Sequence, residues 1–586
     1  MAPRAVSLLR CSPALVLVAI AVADAVNLAD NDLWGHVRFG QAMLAAGHII
    51  RADPYSYSAA GHLWLDHEWL SEVIMAAAYN SLGVWGLKLL KLALTAATFV
   101  FLSMADAETG APTPVQLAVL LSCAVSVAMQ MQFRPQLFSF ALLSALIFLL
   151  ARDTYQRRRE VRPRLWLAIP IFLLWANLHG GFIAGLATLG VYAAVSSLQD
   201  LWAGRGARRA CQLGAVTAAA ALATIVTPYG IGVWRAVWHA LTNPFTHVAI
   251  LDWQPFARAL AAQWRLSPAG SIEYMFAIAM VAAFVAAIVL GPATDDLPLV
   301  AVGSLMTAAA VMSVRNLPLA LFTIAPPLAH HLALALKSGP IATAEPPQAL
   351  AAPPRMRWWW IREGVWFTAA LAILAAGGLF SNRLRSDDYY PSGAVRFMKS
   401  HGLRGNVLNG FDWGEYLIWH LEPTSKVFVD GRSDSVYPDR VLNETIAFQF
   451  NQPEVAQVVG ADPRDYVLIP GEAPANRLMA ARADWKLVYR DEFTRLYARR
   501  GSAAAGNPGV RVVIQQPGAA EVLAGYPHDF VLLPDDTPAN QLMETRAEWK
   551  LVYRDQYARL YARAGSAAAQ IPGVPIVGKA EATNFP

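Results

Sequence analysis

Apolar stretches near the length of a bilayer crossing recur through the first two thirds of the chain, at about 12–29, 84–105, 113–131, 133–151, 164–178, 181–201, 210–227, 273–290, 297–314, 317–336 and 362–381. Hydrocarbon offers no water to unpaired backbone groups, so such stretches must be helices. Composition agrees: of 586 residues 56% are hydrophobic and only 15% are charged, too few charges for a soluble chain of this length. The expectation is a polytopic α-helical membrane domain of about 11 spans over 1–381, followed by a soluble α/β domain. The net charge of +5 is small, and the basic residues fall in short runs between apolar stretches, so they read as topology signals and not as a nucleic-acid footprint. Cys11, Cys123 and Cys211 have no paired spacing, which suggests neither a disulfide framework nor a zinc site. The first stretch follows Arg4 and Arg10 as a signal peptide would, but lacks a clear small-x-small cleavage site and is read as an uncleaved helix.

Orientation comes from the loops. Arg157, Arg158, Arg159, Arg162 and Arg164 crowd one connection, Arg205, Arg208 and Arg209 another, and Arg355, Arg357 and Arg362 a third. With the N-terminus inside, all three face the cytoplasm. Trp358, Trp359 and Trp360 read as an interfacial anchor, and Asp295 and Asp296 are an inner acidic exception. The same threading gathers the unusual polar residues on the outer face: Asp30, Asp32, His36, Arg38, Asp53, His67 and Glu68 in the first loop, then Arg134, His179, Tyr229, Asp252, Arg315 and Asn316 at later turns.

The outer loop at about 30–83 carries amphipathic pieces. Leu33, Val37 and Leu44 share one helical face while Asp32 and His36 lie on another, and a second helix from Glu68 sets Glu68 and Glu72 one turn apart. Pro340, Pro346, Pro347, Pro353 and Pro354 mark a linker over 338–357. Beyond it, strand candidates at Val427–Val429, Tyr466–Ile469 and Lys486–Tyr489 alternate with helix candidates, giving an extracytoplasmic α/β domain over 382–500. The segment from Asp465 recurs from Asp529, pairing Trp485 with Trp549, Asp491 with Asp555 and Tyr497 with Tyr561, so 501–586 reads as a partial duplicate of the 449–505 unit plus a tail.

The stretch Asn27 to Glu72 has acidic residues directly after the first span, Trp34 and His36 one turn on, a Gly-x-x-x-x-x-x-Gly helix, an Asp-Pro-aromatic-Ser turn at Asp53 and His-Glu-Trp-Leu at His67. It resembles the first outer loop of bacterial membrane glycosyltransferases of the GT-C class, which use polyprenyl-phosphate sugars as donors. ANLHGGF around His179, TPYG at Thr227, RNLP at Arg315, and FDWGEYLIW and VFVDGRSD in the tail extend the similarity over most of the chain. The resemblance implies a multi-pass protein of the bacterial inner (plasma) membrane, with a lipid-phosphate sugar, membrane lipids and a glycan, lipid or protein acceptor as partners and no nucleic acid.

Sugar transfer from a lipid phosphate needs a carboxylate to take the acceptor proton and donors to hold the leaving phosphate. Asp32 is the first choice for base, with Asp30 and His36 assisting, although either aspartate also fits a helix N-cap. Arg134 and Arg315, at outer span ends, suit a lipid-linked phosphate or ordinary phospholipid headgroups. His179, in a tight glycine turn, and Glu68 are further candidates for substrate binding. His36 also suits a divalent metal, but no ligand spacing defines a metal site, and a divalent cation stays open as cofactor. In the tail, Asp412, Trp413, Glu415, Asp430, Arg432 and Asp434 fit either glycan-binding loops or ordinary structure. A transporter or flippase of a lipid-linked glycan, or a non-catalytic membrane assembly protein, remains the alternative; Walker, dinucleotide, GxSxG and HExxH motifs are absent.

Overall fold

The computed structural model describes residues 13–27, 29–156, 165–266, 271–291, 296–338 and 356–381, most of 384–505, and four short strands with a few isolated residues beyond. Cys11, the Arg157–Arg164 cluster, Asp295, most of the proline-rich linker and Asp555 lie outside the described residues, as do the side chains of Arg355, Arg357, Arg362 and the three adjacent tryptophans. The chain forms two compact units. The first is 1–51 with 63–384, and the second is 52–62 with 385–585.

In the first unit each of the eleven apolar stretches carries a helix. Six are long and apolar enough to cross a membrane: Val84–Glu108, Thr113–Gln130, Gln136–Gln156, Phe182–Trp202, Ile272–Leu290 and Val314–Leu336. Leu165–Leu178, Leu297–Met312 and Glu363–Ala376 are shorter apolar helices. The chain is thus a multi-pass helical membrane protein with a C-terminal α/β region. Phe322 lies edge-on to both Phe99 and Phe140, at 6.3 and 5.7 Å, at the centre of the helix packing.

Several buried charges inside this unit are paired, which offsets the cost of burying them. Lys91 Nζ lies 3.4 Å from Asp24 Oδ1 and donates to the carbonyls of Asp24 and Val26. Lys88 donates to the carbonyls of Gly378 and Ser381 at 2.6 and 2.7 Å. Arg209, read from sequence as a solvated topology signal, is bonded to Asp153 and to Asp200. Asp296 accepts from the Tyr155 hydroxyl at 2.9 Å and lies 3.2 Å from His331, so this inner acid is held by partners.

The loop at about 30–83 folds as two helices, Leu33–Ala46 and Trp69–Leu82. Leu33, Trp34 and Val37 are buried as expected, but Leu44 is 44% exposed, because the helix stops burying its apolar face in its last turn. The pair packs closely at Gly40, where a Cβ would stand 2.1 Å from the Glu72 carbonyl oxygen. Two further helices, Gly232–Thr242 and Phe256–Leu266, flank the turn Leu251–Trp253 and expose Trp238 and Trp264. Sequence reading missed both, because mixed Arg, His and Trp content dilutes the apolar signal while the one-sided pattern survives.

The second unit holds a five-stranded sheet in the spatial order Ser425–Val427, Gly405–Asn409, Tyr466–Pro470, Thr494–Arg499, Trp485–Arg490. The first three strands run parallel and the last two are antiparallel. The duplicated segment builds its own three-stranded sheet from Phe530–Pro534, Ala558–Arg563 and Trp549–Arg554. Its register and its bulge between Leu551 and Tyr553 repeat those of the first copy at Leu487 and Tyr489. Antiparallel neighbours close through short turns, so three strands copied together carry their own pairing. Trp413, Glu415, Asp430 and Arg432 are buried, which makes them structural and removes them from any glycan-binding surface.

Candidate active site

Helix ends and turns of the first unit bring six carboxylates, two guanidiniums and three imidazoles into one constellation. Arg134 follows the turn after Thr113–Val127, and each of its nitrogens meets a different aspartate. Nε donates to Asp30 Oδ1 at 2.5 Å, NH1 to Asp252 Oδ2 at 2.8 Å, and NH2 lies 3.3 Å from Asp32 Oδ2. Asp30 Oδ1 also accepts the backbone N–H of Asp32 at 3.0 Å. Asp32 occupies the N-cap position of Leu33–Ala46, yet its side chain makes no capping hydrogen bond and turns instead to Arg134. Burial pushes the Asp32 carboxyl up to about 6; Arg134 opposes the shift, the Asp30 charge adds to it, His36 opposes it and Glu68 adds. Burial acts to lower the Arg134 pKa, but its three aspartates outweigh that and hold it well above the usual value.

A second group stands on the neighbouring turns. His179 terminates Ala168–Leu178, and its Nδ1 accepts the Gly181 backbone N–H at 3.0 Å. A backbone N–H can only donate, so Nδ1 carries no proton and the neutral ring keeps its proton on Nε2. Ser139 fits this assignment, taking the Trp175 indole N–H at 2.6 Å and giving its own proton to Nδ1 at 2.7 Å. Nε2 faces Glu68 Oε1 at 3.4 Å, with His67 Nε2 at 3.8 Å from the same oxygen. Burial drives the His179 pKa down to about 3; Glu68 opposes this, while Arg315, His67 and His36 reinforce it. Burial acts to raise Glu68, but His67, His179, His36 and Arg315 around it together pull it below the ordinary value.

Arg315 differs from Arg134. Its guanidinium carbon lies 4.9 Å from the centre of the Trp253 ring, and NH2 is 3.4 Å from His179 Nε2, a contact between two donors. Among the described residues no carboxylate forms an ion pair with it. The turn holding it is tied to the Trp253 segment: the Val314 N–H donates to the Gln254 carbonyl at 2.9 Å and the Ser313 hydroxyl to that of Asp252 at 3.1 Å.

His36 points away from Asp32. Its Nδ1 lies 3.0 Å from Glu72 Oε1, and burial, with the Glu72 charge nearby, pushes the Asp66 carboxyl well above the ordinary carboxylate range. His36, Glu68 and Glu72 each present a ligand atom, all within 4.8 Å of one another, so this trio can hold a divalent cation in place of the His36–Glu72 bond. The one-turn spacing of Glu68 and Glu72 was visible in sequence, but the approach of His36 depends on the helix contact at Gly40.

Of the residues expected at the site, Asp30, Asp32, His36, Glu68, Arg134, His179 and Arg315 are in the constellation. Asp53 is in the second unit. Asp252 was noted only as an outer polar residue, and Trp253, Ser139 and Trp175 were missed.

No family model and no curated protein matches this chain. Among solved structures, it is similar to the oligosaccharyltransferase of Archaeoglobus fulgidus tethered with an acceptor peptide containing the NVT sequon, at a TM-score of 0.50 and 11% identity over 78% of this chain and 68% of that one. It also matches ArnT from Cupriavidus metallidurans bound to undecaprenyl phosphate, at 0.43 and 13% over 85% and 98% of the chains. A third match is the archaeal oligosaccharyltransferase AglB from Archaeoglobus fulgidus with an inhibitory peptide and a dolichol-phosphate, at 0.47 and 11% over 78% and 69%. The match at a TM-score of 0.50 shows a fold shared with the archaeal oligosaccharyltransferase.

Proposed function

We propose that this chain moves a sugar from a polyprenyl-phosphate carrier to an acceptor on the extracytoplasmic side of the bacterial inner membrane. All eleven apolar helices span in this reading, with the N-terminus inside and the α/β domain outside. Asp32 takes the proton of the acceptor hydroxyl as its oxygen bonds to the sugar's anomeric carbon. The bond from that carbon to phosphate oxygen breaks, and its electron pair leaves with the lipid phosphate. Arg315 holds that phosphate where charge accumulates, and His179 can offer its Nε2 proton beside it. Arg134, expected as a second phosphate ligand, is better suited to fixing Asp30, Asp32 and Asp252, since all its nitrogens are engaged. His36, Glu68 and Glu72 would hold a divalent cation, if one binds.

The observation that carries this reading is the Arg315 guanidinium, stacked on Trp253 and, among the described residues, in no ion pair with a carboxylate, within the same group as a carboxyl poised at about 6. Binding of undecaprenyl phosphate to the purified protein tests it. Wild type should bind and Arg315→Ala should bind at least 10-fold more weakly; equal binding overturns the assignment. Tight binding of an undecaprenyl-phosphate-linked sugar with no release of the sugar would favour the transporter reading.

A further inference from the structure

The segment between Tyr229 and Ser271 joins two apolar helices and carries charge of one sign. Arg235, Arg258 and Arg265 stand against a single acid, Asp252, whose carboxylate Arg134 already occupies. Among the described residues none of these three arginines forms an ion pair. On the helix Phe256–Leu266, Ala259 is buried while Arg258, Ala261, Trp264 and Arg265 are exposed, a spacing that sets all four on the face turned from the core. Phe256 meets Tyr274 edge-on at 5.4 Å, which fixes the start of this helix beside the first turn of the span Ile272–Leu290. Only 22% of that span's apolar stretch is buried, the lowest share among the six long spans, and Ile272, Met275 and Phe276 are exposed at its start, so lipid covers it from its first turn.

Arg258 also lines a recess of about 320 Å³ with His247, Val248, Leu251 and Gln254. That volume falls within the range of small-ligand sites, about 300–1,000 Å³. The polar walls are tied together: Gln254 Nε2 donates to the His247 carbonyl, and His247 Nε2 lies 3.1 Å from the Leu241 carbonyl. Arg258 NH1 reaches Gln254 Oε1 only at 3.4 Å, which leaves most of its donor fork open to an anion. Val248 and Leu251, each 55% exposed, add an apolar wall. The recess abuts the site, since the His247 ring meets Trp253 edge-on at 5.6 Å and Leu251 begins the turn that holds Asp252.

We propose that this recess binds the headgroup of an anionic phospholipid, with Arg258 on the phosphate and Val248 and Leu251 against the glycerol and upper acyl chain. Two features select a phospholipid over the sugar carrier. The exposed face continues past the recess to Trp264 and Arg265, which suits a surface of many headgroups with an aromatic ring at their level. Arg315, on the Trp253 ring, is the ligand assigned to the carrier phosphate. That the leaflet is the outer one rests on the threading adopted for the proposed function; the lipid site does not, because binding requires no sugar transfer.

Photocapture from vesicles tests it. The full-length protein carries p-benzoylphenylalanine at Ala261, on the exposed helix face and outside the recess, and is reconstituted in equimolar phosphatidylglycerol and phosphatidylcholine. The mass of the captured lipid identifies the occupant. The phosphatidylglycerol adduct should exceed the phosphatidylcholine adduct by about 5-fold, as a guanidinium close to anionic headgroups would produce. Arg258→Ala should lower that ratio to near parity, Arg258→Lys should keep part of it, and Arg265→Ala, outside the recess, should change it less than Arg258→Ala does. Parity without the Arg258 substitution, no lipid adduct at all, or a ratio that Arg258→Ala leaves unchanged overturns the proposal. An Arg265→Ala effect as large as that of Arg258→Ala also overturns it, since a general surface attraction would then suffice. So does a polyprenyl adduct that replaces the phosphatidylglycerol one when undecaprenyl phosphate is added as a minor component; that result gives the recess to the carrier and leaves the transfer reading standing.

Discussion

Arg315 lies against the face of Trp253, its guanidinium carbon 4.9 Å from the ring centre, on two turns 62 residues apart whose backbones are bonded to one another. Stacking leaves the donor fork free along its edge, which suits a phosphate better than a lone ammonium does. Arg315→Ala should weaken undecaprenyl phosphate binding by roughly 10- to 100-fold, the value of a charge-assisted hydrogen bond at about 1.5–3 kcal/mol. Arg315→Lys should recover only part of this, because it keeps the charge and loses both fork and stacking. Isothermal titration of the three proteins checks the order.

Asp32→Asn should leave the fold intact and lower sugar transfer by roughly 10²–10⁴-fold, the usual cost of losing a general base. Arg134 keeps Asp30 and Asp252 in that variant, so thermal unfolding should stay near wild type. Initial rates beside a melting curve separate lost chemistry from lost structure.

Transfer should rise with pH through an acid limb centred near 6, as Asp32 loses its proton. His179, neutral down to about 3, adds no second limb in the working range. The same shift has a stability consequence. Because the folded-state pKa is raised above 3.8, the folded protein holds the proton between about 4 and 6 where the unfolded chain has lost it. Asp32 therefore opposes folding increasingly as pH rises through that window, and Asp32→Asn should flatten the dependence of melting temperature on pH there.

Gly40→Ala tests the contact between the two loop helices. The new Cβ would stand 2.1 Å from the Glu72 carbonyl oxygen and 2.8 Å from the Ala76 side chain, so one helix must move. A loss of ~3 kcal/mol is expected from such overpacking. The His36–Glu72 bond should break with it, visible as a changed imidazole signal in NMR of histidine-labelled protein.

Much of the fold was legible in sequence because hydrocarbon leaves a chain few options, and polar residues at the ends of distant helices converge on one group. The partners were not legible. Nothing local tells that Arg134 takes three aspartates while Arg315, among the described residues, takes none; that depends on which helix ends converge. His36 and Asp32, one turn apart, suggested a pair, but helix packing at Gly40 turned the imidazole to Glu72. Asp53 stood out in sequence only as one of the polar residues of the first loop, and its partner, Arg432, stands 379 positions on. The helices around Asp252 escaped detection because their character lies in one-sidedness and not in total apolarity.

The central claim is tested most directly by reconstituting wild type and Asp32→Asn in liposomes with radiolabelled undecaprenyl-phosphate-linked sugars and acceptor-bearing membrane extract. The account predicts label leaving the carrier in wild type and staying on it in Asp32→Asn, with both proteins still binding undecaprenyl phosphate. Equal transfer by the two, or label that never leaves the carrier in wild type, would contradict it.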